Sequence, residues 1–526
     1  MTLPAVRGGG SRHPAGSSEW WLERLTTALH ARQGRFTRLE HYYRGTQDLS
    51  KLAGQAWRES EVSKMFPNYL HANHSKLIVN AAAQRLNVLG FRFSGETGAD
   101  AEAARIWRAN EMHSESSKAH VEALVKGECP VLVEPNPADP STPIITPQDP
   151  AQVIVWHAPG DRRLRQAALK SWWDLDSARR FYILYLPDRI EHWRDREPSQ
   201  MDWWLNRLVA ATEPARWELR ERPGQPGRMV NPLGEVPIVV LPNDPRLNGS
   251  PEAEHEPVLS RIDHYNKTLM DMAVTSHEMA YPQRWGTGVE PEEDEIAVDE
   301  VTGEPIEPAP PPATRTGQTR WITTPEEAAR FGQFTVATLD NYVKELDQIR
   351  ADIATDTFTP YHFLLNMPSS VPPSGESITA SEAPLVDKVR AHGRDKGAAW
   401  RQIMRLALRL GGDEQRAQAM RDGGQVIWED PERRTESQHV DALGKLRQML
   451  GLPLEATWEL LPASPEDIER WRRMLDDEAK RLTELAGPEM AARSIARTIS
   501  GGPLADVPDN PLPPAAPGTG PMSQPA

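Results

Sequence analysis

The sequence predicts a mainly helical α+β fold, and three observations carry that expectation. Long stretches with apolar residues at three- and four-residue spacing lie toward both ends of the chain. Between about residues 130 and 245, short apolar runs alternate with Pro, Gly and Asp turns, as in antiparallel sheet. The two patterns succeed one another instead of alternating along the chain, which argues against a doubly wound parallel sheet.

Taken in order, Ser17 and Ser18 can cap a helix through EWWLERLTTALHARQGRFTRLEHYYRG, because a serine hydroxyl satisfies an orphan N–H of the first turn. A second helix fits SKLIVNAAAQRLNVLG, with Gly90 stopping it and FRF opening a strand. AEAARIWRAN and KAHVEALVKG read as shorter helices. The strand candidates are VLVEP, QVIVWH, ALKSWW, FYILYL, RIEHW and PIVVL.

The middle of the chain holds a helix pair. Val258, Ile262, Tyr265, Leu269 and Met272 fall at spacings of 4, 3, 4 and 3, with Asp263, Lys267 and Asp271 off that stripe. Tyr281-Pro282 stops this helix. Leu339, Tyr342, Leu346, Ile349 and Ile353 repeat the pattern in a second helix. Between the two lie nine carboxylates from Glu290 to Glu307, then PAPPP. On periodicity alone, this is equally an antiparallel helical hairpin with a solvent-exposed insertion.

NMPSSVPPSG, with its prolines, serines and glycine, cannot continue a helix. A long helix opens at Ser377 or Ser381 and runs through LVDKVRAHGRDKGAAWRQIMRLALRL; Pro384 favours the later start, where it falls in the first turn. Gly393 and Gly397 each weaken it by about 1 kcal/mol relative to Ala, so a bend near them is expected. QHVDALGKLRQMLGLPLEATWELL and SPEDIERWRRMLDDEAKRLTELAG are helical again, the latter opened by Ser464 with Pro465 at the first helical position. Residues 1–16 and 501–526, rich in Gly, Pro and Ala, read as disordered tails.

Composition narrows the function. A chain of 526 residues has room for roughly three or four domains. Its 48 prolines and mean hydropathy of −0.59 mean that much of it is loop or exposed surface. With 75 acidic against 60 basic residues, the formal charge of −15 disfavours a protein that coats nucleic acid by neutralising phosphates. The lone Cys129 excludes a disulfide framework and a multi-cysteine zinc site. The N-terminus lacks an apolar signal core, and no run of about 18 apolar residues occurs, so neither secretion by signal peptide nor a membrane span is expected.

Catalytic constellations are missing too. No G-x-x-x-x-G-K-[ST] phosphate loop is present, so a nucleotide-driven motor is not expected. His71 and His74 have H-x-x-H spacing without supporting carboxylates and read as structural or surface histidines. SGES, residues 374–377, lacks the G-x-S-x-G frame of a nucleophile elbow. The 290–307 acids lack calcium-loop spacing and read as a solvated face. Aromatic residues interleave with charges in SWWDLDSARRFYILYL and EHWRDREPSQMDWWLNR; alternation along strands accounts for them better than base stacking. No enzyme, cofactor or metal is expected.

In the order and spacing of HSKLIVNAAAQRLNVLGFRF, NPLGEVPIVVLPND, SRIDHYNKTLMDMAVTSHEMAYPQRWGTG and PSGESITASEAPLVDKV, the chain resembles the portal proteins of tailed double-stranded DNA bacteriophages, in the long-tailed branch, over about residues 20 to 485. The acidic, proline-rich segment 290–316 departs from that family pattern. The resemblance implies a wing over 17–250, stem helices over 252–283 and 326–356, a clip over 284–325, a tunnel loop over 357–376, a long helix over 377–411 and a helical crown over 412–500. It implies a ring, a dodecamer, at one capsid vertex of the virion, assembled in the host cytoplasm. Double-stranded DNA would pass through it non-specifically during packaging and ejection. Terminase and a head-tail adaptor would dock at the clip, where Glu290, Glu292, Glu293, Asp294 and Glu295 lie, and the major capsid and scaffold proteins would be further partners. Another structural virion protein, such as a minor head protein, is the alternative.

The tunnel-loop expectation also has a reading from the residues themselves. Tyr361, Phe363, Leu364, Leu365 and Met367 are more apolar than a solvated linker needs, and no Arg or Lys lies between Thr357 and Ser377. Either the segment, with Tyr361, Phe363, Asn366, Ser369 and Ser370, projects to the ring axis, or it is a buried turn on its own subunit.

Overall fold

The computed structural model describes residues 13–49, 61–65, 71–93, 99–196, 217–221, 226–247, 251–280, 284–287, 330–333, 338–364, 375–432, 436–459 and 465–486. Helix α1, Ser18–Arg44, is capped as its sequence requires. The Ser17 hydroxyl accepts from the Trp20 N–H, and Gly45, at φ 68°, closes the other end. Its Leu22, Leu25 and Leu29 pack on Ile154, Leu169, Tyr182 and Leu184 of the large sheet. Its Leu39 and Tyr42 belong to a second core, which also takes in Ile262 and Ile353 from the middle of the chain. One helix therefore ties the sheet to the central helices.

Helices α2 (Glu61–Met65) and α3 (His74–Ala83) precede β1 (Val88–Arg92). The expected helix to Gly90 thus ends earlier, at Ala83, and Gly90 sits within a strand. The reason is a partner that lies distant in sequence: β1 pairs antiparallel with Gln425–Trp428, Phe91 opposite Val426, which demands extended backbone from Val88 onward. Next come α4 (Ala101–Ala109), α5 (Met112–Lys126), β2 (Glu128–Glu134), β3 (Ile144–Pro147), β4 (Val153–Ala158), β5 (Asp161–Asp174), β6 (Arg179–Tyr185), β7 (Arg189–Asp195), β8 (Trp217–Leu219), β9 (Arg228–Val230) and β10 (Ile238–Pro242). Strands β4 to β8 form an antiparallel sheet in sequence order, and β9 also pairs with β7. A three-stranded sheet runs β10-β2-β3. All six apolar runs read as strands from the sequence fall in these two sheets.

Helices α6 (Leu259–Ala280) and α7 (Asp340–Asp356) form the pair, with β11 (Arg284–Thr287) and β12 (Arg330–Gln333) between them. After the short α8 (Tyr361–Leu364) comes α9, Gly375–Leu410, at 36 residues the longest helix described. It begins before both expected starts and carries Pro384 inside. It also runs through Gly393 and Gly397 as one continuous helix. Its Trp400 is buried edge-to-face on Trp107, which meets Phe91 in the same way, and these rings anchor the largest core. Burying such side chains contributes about 1.5–3 kcal/mol each.

The C-terminal part consists of α10 (Glu414–Gly423), β13 (Gln425–Trp428), α11 (Glu436–Leu450), α12 (Leu454–Glu459) and, last, the amphipathic α13 (Pro465–Ala486). The stretch read as one helix from Gln438 is two, divided at Gly451-Leu452-Pro453, where Gly451 has φ 65°. Ser464, expected to cap α13, lies outside the described residues, as do nearly all of the two tails. Among the described residues no helix is long and apolar enough to cross a membrane.

Candidate functional site

The helix pair is held by one apolar seam. Val258, Ile262 and Tyr265 meet Leu346, Ile349 and Ile353, joined by Leu39, Tyr42, Ile78 and Leu364 from the surrounding elements. The first stripe points into this core along its length, and the second does so from Leu346 to Ile353. Across its flank, Arg261 pairs with Asp352 and Asp356 at 2.8 Å each, and His264 stands 3.2 Å from Glu345. These side chains are about half exposed, so they set register more than they add stability. Asp263, expected on the wet face, instead accepts a 2.7 Å hydrogen bond from the Tyr42 hydroxyl. Burial and that carboxylate push the Tyr42 pKa up to about 12. At 1.5 Å per residue, the 22 residues of α6 reach about 33 Å and the 17 of α7 about 26 Å.

Beyond the pair, β11 and β12 run antiparallel, Arg284 opposite Gln333 and Thr287 opposite Arg330. The 288–329 segment consequently leaves and returns at one place. The second helix was expected from residue 326, but it begins at Asp340, because 330–333 extends to pair with β11. Glu290, Glu292, Glu293, Asp294 and Glu295 lie outside the described residues, as do Tyr281 and Pro282.

At the other end of α7 the chain turns sharply. Thr357 and Thr359 are buried and share a 2.8 Å hydroxyl contact, while Phe358 between them takes φ 52°, a conformation a bulky side chain rarely adopts. Phe358 is 57% exposed and Tyr361 43%. Phe363 packs beside Val79, Leu385 and Val389, and Leu364 enters the helix-pair core. The turn thus holds to its own subunit through Phe363 and Leu364 and presents Phe358 and Tyr361 outward. Asn366, Ser369 and Ser370 lie outside the described residues.

Beneath this turn lies a buried polar network that is not among the expectations drawn from the sequence. Gly127, at φ 89°, lets the backbone of Pro251 and Glu252 approach to 3.3 Å of where a Cβ would stand. That approach brings Glu254 into the fold, its N–H donating to Leu124 O at 2.8 Å. Lys388 Nζ reaches Glu254 Oε1 at 2.6 Å, Asn243 Nδ2 donates to Oε2 at 3.2 Å, and His392 Nε2 stands 3.1 Å from Oε2. Burial alone would raise the Glu254 carboxyl, but Lys388 and His392 outweigh it and hold it well below the usual carboxylate range.

Farther along α9, Lys396 is wholly buried and donates to Asn243 Oδ1 at 2.9 Å. Burial lowers its pKa to about 8. Trp400 Nε1 donates to His120 Nε2 at 2.8 Å, and burial, with Lys396 nearby, lowers His120 to about 3. A signal for this network is present in the sequence: Lys388, His392, Lys396 and Trp400 fall every fourth residue, on one face of a helix that otherwise packs apolar side chains.

His74 is half-buried, edge-to-face on Tyr265 at 4.7 Å, with its pKa lowered to about 4 by burial and by Arg350. Its environment is that of a packing residue. Burial pushes the Cys129 thiol up, away from nucleophilic reactivity. Among the described residues no group of three or more His, Cys, Asp or Glu side chains is placed to hold a metal ion.

Compared with known proteins, residues 22–481 match the family described as "Phage portal protein, SPP1 Gp6-like". The portal protein of Mycobacterium phage D29 is 28% identical over 446 residues, covering 82% of this chain and 84% of the relative. That of Mycobacterium phage L5 is 28% identical over 459 residues, covering 84% and 86%.

Proposed function

The chain belongs to the SPP1 Gp6-like family of phage portal proteins, and on that premise we propose that identical copies close head to tail into a ring at one capsid vertex. A heterologous interface whose rotation closes leaves a central hole. Through it double-stranded DNA enters during packaging and leaves at ejection. The family is structural, and portal proteins are components of the virion; assembly of this one in the host cytoplasm is part of the proposal.

The observation that carries the reading is the path α6, β11, β12, α7. One apolar seam joins the two helices, and the β11–β12 pair gathers both ends of the acidic 288–329 segment at their tip. We assign the helices as the stem crossing the ring wall, 284–325 as the clip, 357–376 as the tunnel loop, 17–250 as the wing and 412–500 as the crown. Terminase, and afterwards the head-tail adaptor, would dock at the clip; scaffold and major capsid proteins would meet the outer faces. The ring would be a dodecamer.

The charge fits a conduit. A wall that gripped phosphates through many Lys and Arg contacts would hinder their passage, and the segment from Thr357 to Ser377 has neither residue. Contact with DNA there is steric. Negative-stain class averages of the purified chain should show closed rings with a hole wide enough for a duplex; monomers alone at high concentration and near-physiological salt count against the proposal.

A further inference from the structure

The segment that leaves α7 and returns as α9 is fastened at its base by one side chain. Lys388 Nζ donates to the Thr357 carbonyl oxygen at 2.5 Å, across 31 residues of sequence, and at the same time ion-pairs with Glu254 Oε1 at 2.6 Å. Glu254 is itself fixed, through its backbone N–H to Leu124 O and through Oε2 to Asn243. Three elements meet at a single ammonium: the chain before α6, the end of α7, and α9. Thr357 is the residue before the strained Phe358, so its carbonyl is where the direction of the turn is set.

From this geometry, we infer that Lys388 is the positioning residue for the Phe358–Leu364 turn, fixing where exposed Phe358 and Tyr361 project, and so what passing DNA meets; the last clause rests on the channel reading above. The ammonium suits the task physically. It offers three donors from one atom, so it can satisfy a carboxylate and a carbonyl together, and in this buried setting both bonds are charge-assisted. A second carboxylate, Glu382, reinforces the same region: Arg85 donates to its Oε2 at 2.8 Å, and His362 Nε2 lies 3.3 Å from its Oε1. That contact holds α8 to α9. It does not reach Thr357, so Lys388 alone, among the contacts described, ties the end of α7 to α9.

The test uses the assembled full-length chain. Lys388→Met keeps the apolar stem of the side chain and removes the ammonium. The double variant Lys388→Met with Glu254→Gln removes the ammonium and its partner carboxylate together, and it carries the test if the single variant fails to fold. Lys388→Arg can donate to both oxygens and is the rescue. Hydrogen exchange of the Phe358–Leu364 amides should quicken by about tenfold or more in the Met variants, as expected on loss of a charge-assisted bond, with the 396–410 amides unchanged. Packaged genomes should fall, and Arg should restore both readouts. Unchanged exchange in the turn of the double variant overturns the inference. Quickened exchange with undiminished packaging keeps Lys388 as the fastener and overturns instead the placement of this turn at the channel.

Discussion

Replacing Lys396 with Met should stabilise the protein at neutral pH relative to high pH, by an amount set by where the residue sits. Lys396 is 0% exposed, and burial moves its pKa from the ordinary 10.5 to about 8, although Glu254, Asp395 and Asp244 pull the other way. The folded pKa lies below the unfolded one, so between about pH 8 and 10.5 the unfolded chain binds more protons and stability rises with pH; below pH 8 both states are charged and the full cost remains. That cost, from the gap between 10.5 and about 8, is about 3 kcal/mol at pH 7. At pH 9.5 about 1 kcal/mol of it is left. Methionine carries no such charge. It leaves Asn243 Oδ1 without its 2.9 Å donor, a loss that does not depend on pH and cancels between the two conditions. The stability gap between variant and wild type should thus move by about 2 kcal/mol against the variant on going from pH 7 to 9.5. In parallel melts followed by tryptophan fluorescence, this is a change of about 2 °C in the difference between the two midpoints for a chain of 526 residues. A gap that stays constant, or moves in the variant's favour with rising pH, would refute the argument that a buried ammonium is held here at a cost.

Two predictions concern the proposed channel parts. Deleting residues 290–310 should leave the wing and the helix pair folded, because the β11–β12 pairing lies outside the deletion, yet abolish docking of terminase and adaptor in pull-downs; retention of both interactions would move the clip elsewhere. Substituting Asn366 and Ser369 with Lys should slow or stall packaging and steepen its salt dependence, by about 0.9 in log–log slope for each phosphate the new lysines neutralise, with ring formation intact; packaging unaffected at every salt concentration would remove the loop from the DNA path.

Much of the fold was legible because its signals are local. The 4, 3, 4, 3 spacing from Val258 to Met272 and its counterpart from Leu339 to Ile353 locate both partners of the helix-pair core. The six apolar runs locate strands because each alternates or fills over about five to seven residues between turn formers. The failures are of another kind. The end of α3 at Ala83, the late start of α7 and the strand at 425–428 are all dictated by a partner strand elsewhere in the chain, and no window of sequence contains both. The same holds for the candidate site: Tyr361 and Phe363 were identifiable as too apolar for a linker, but Lys388, Glu254 and Asn243 come from three separate stretches and meet only in the fold.

Gly393 and Gly397 show how a propensity signal can hold a second kind of information. By propensity each weakens α9 by about 1 kcal/mol and invites a bend. Neither interrupts it, and the indole of Trp428 lies across both. A Cβ at 397 would stand 3.3 Å from Trp428 Nε1, and one at 393 about 3.7 Å from its ring. Two glycines one turn apart on a helix that is otherwise well formed mark the footprint of a large neighbour, and here the neighbour is the last residue of β13, the strand that propensity alone did not find. The apparent flaw in the helix and the missing strand are the same contact, seen from its two ends.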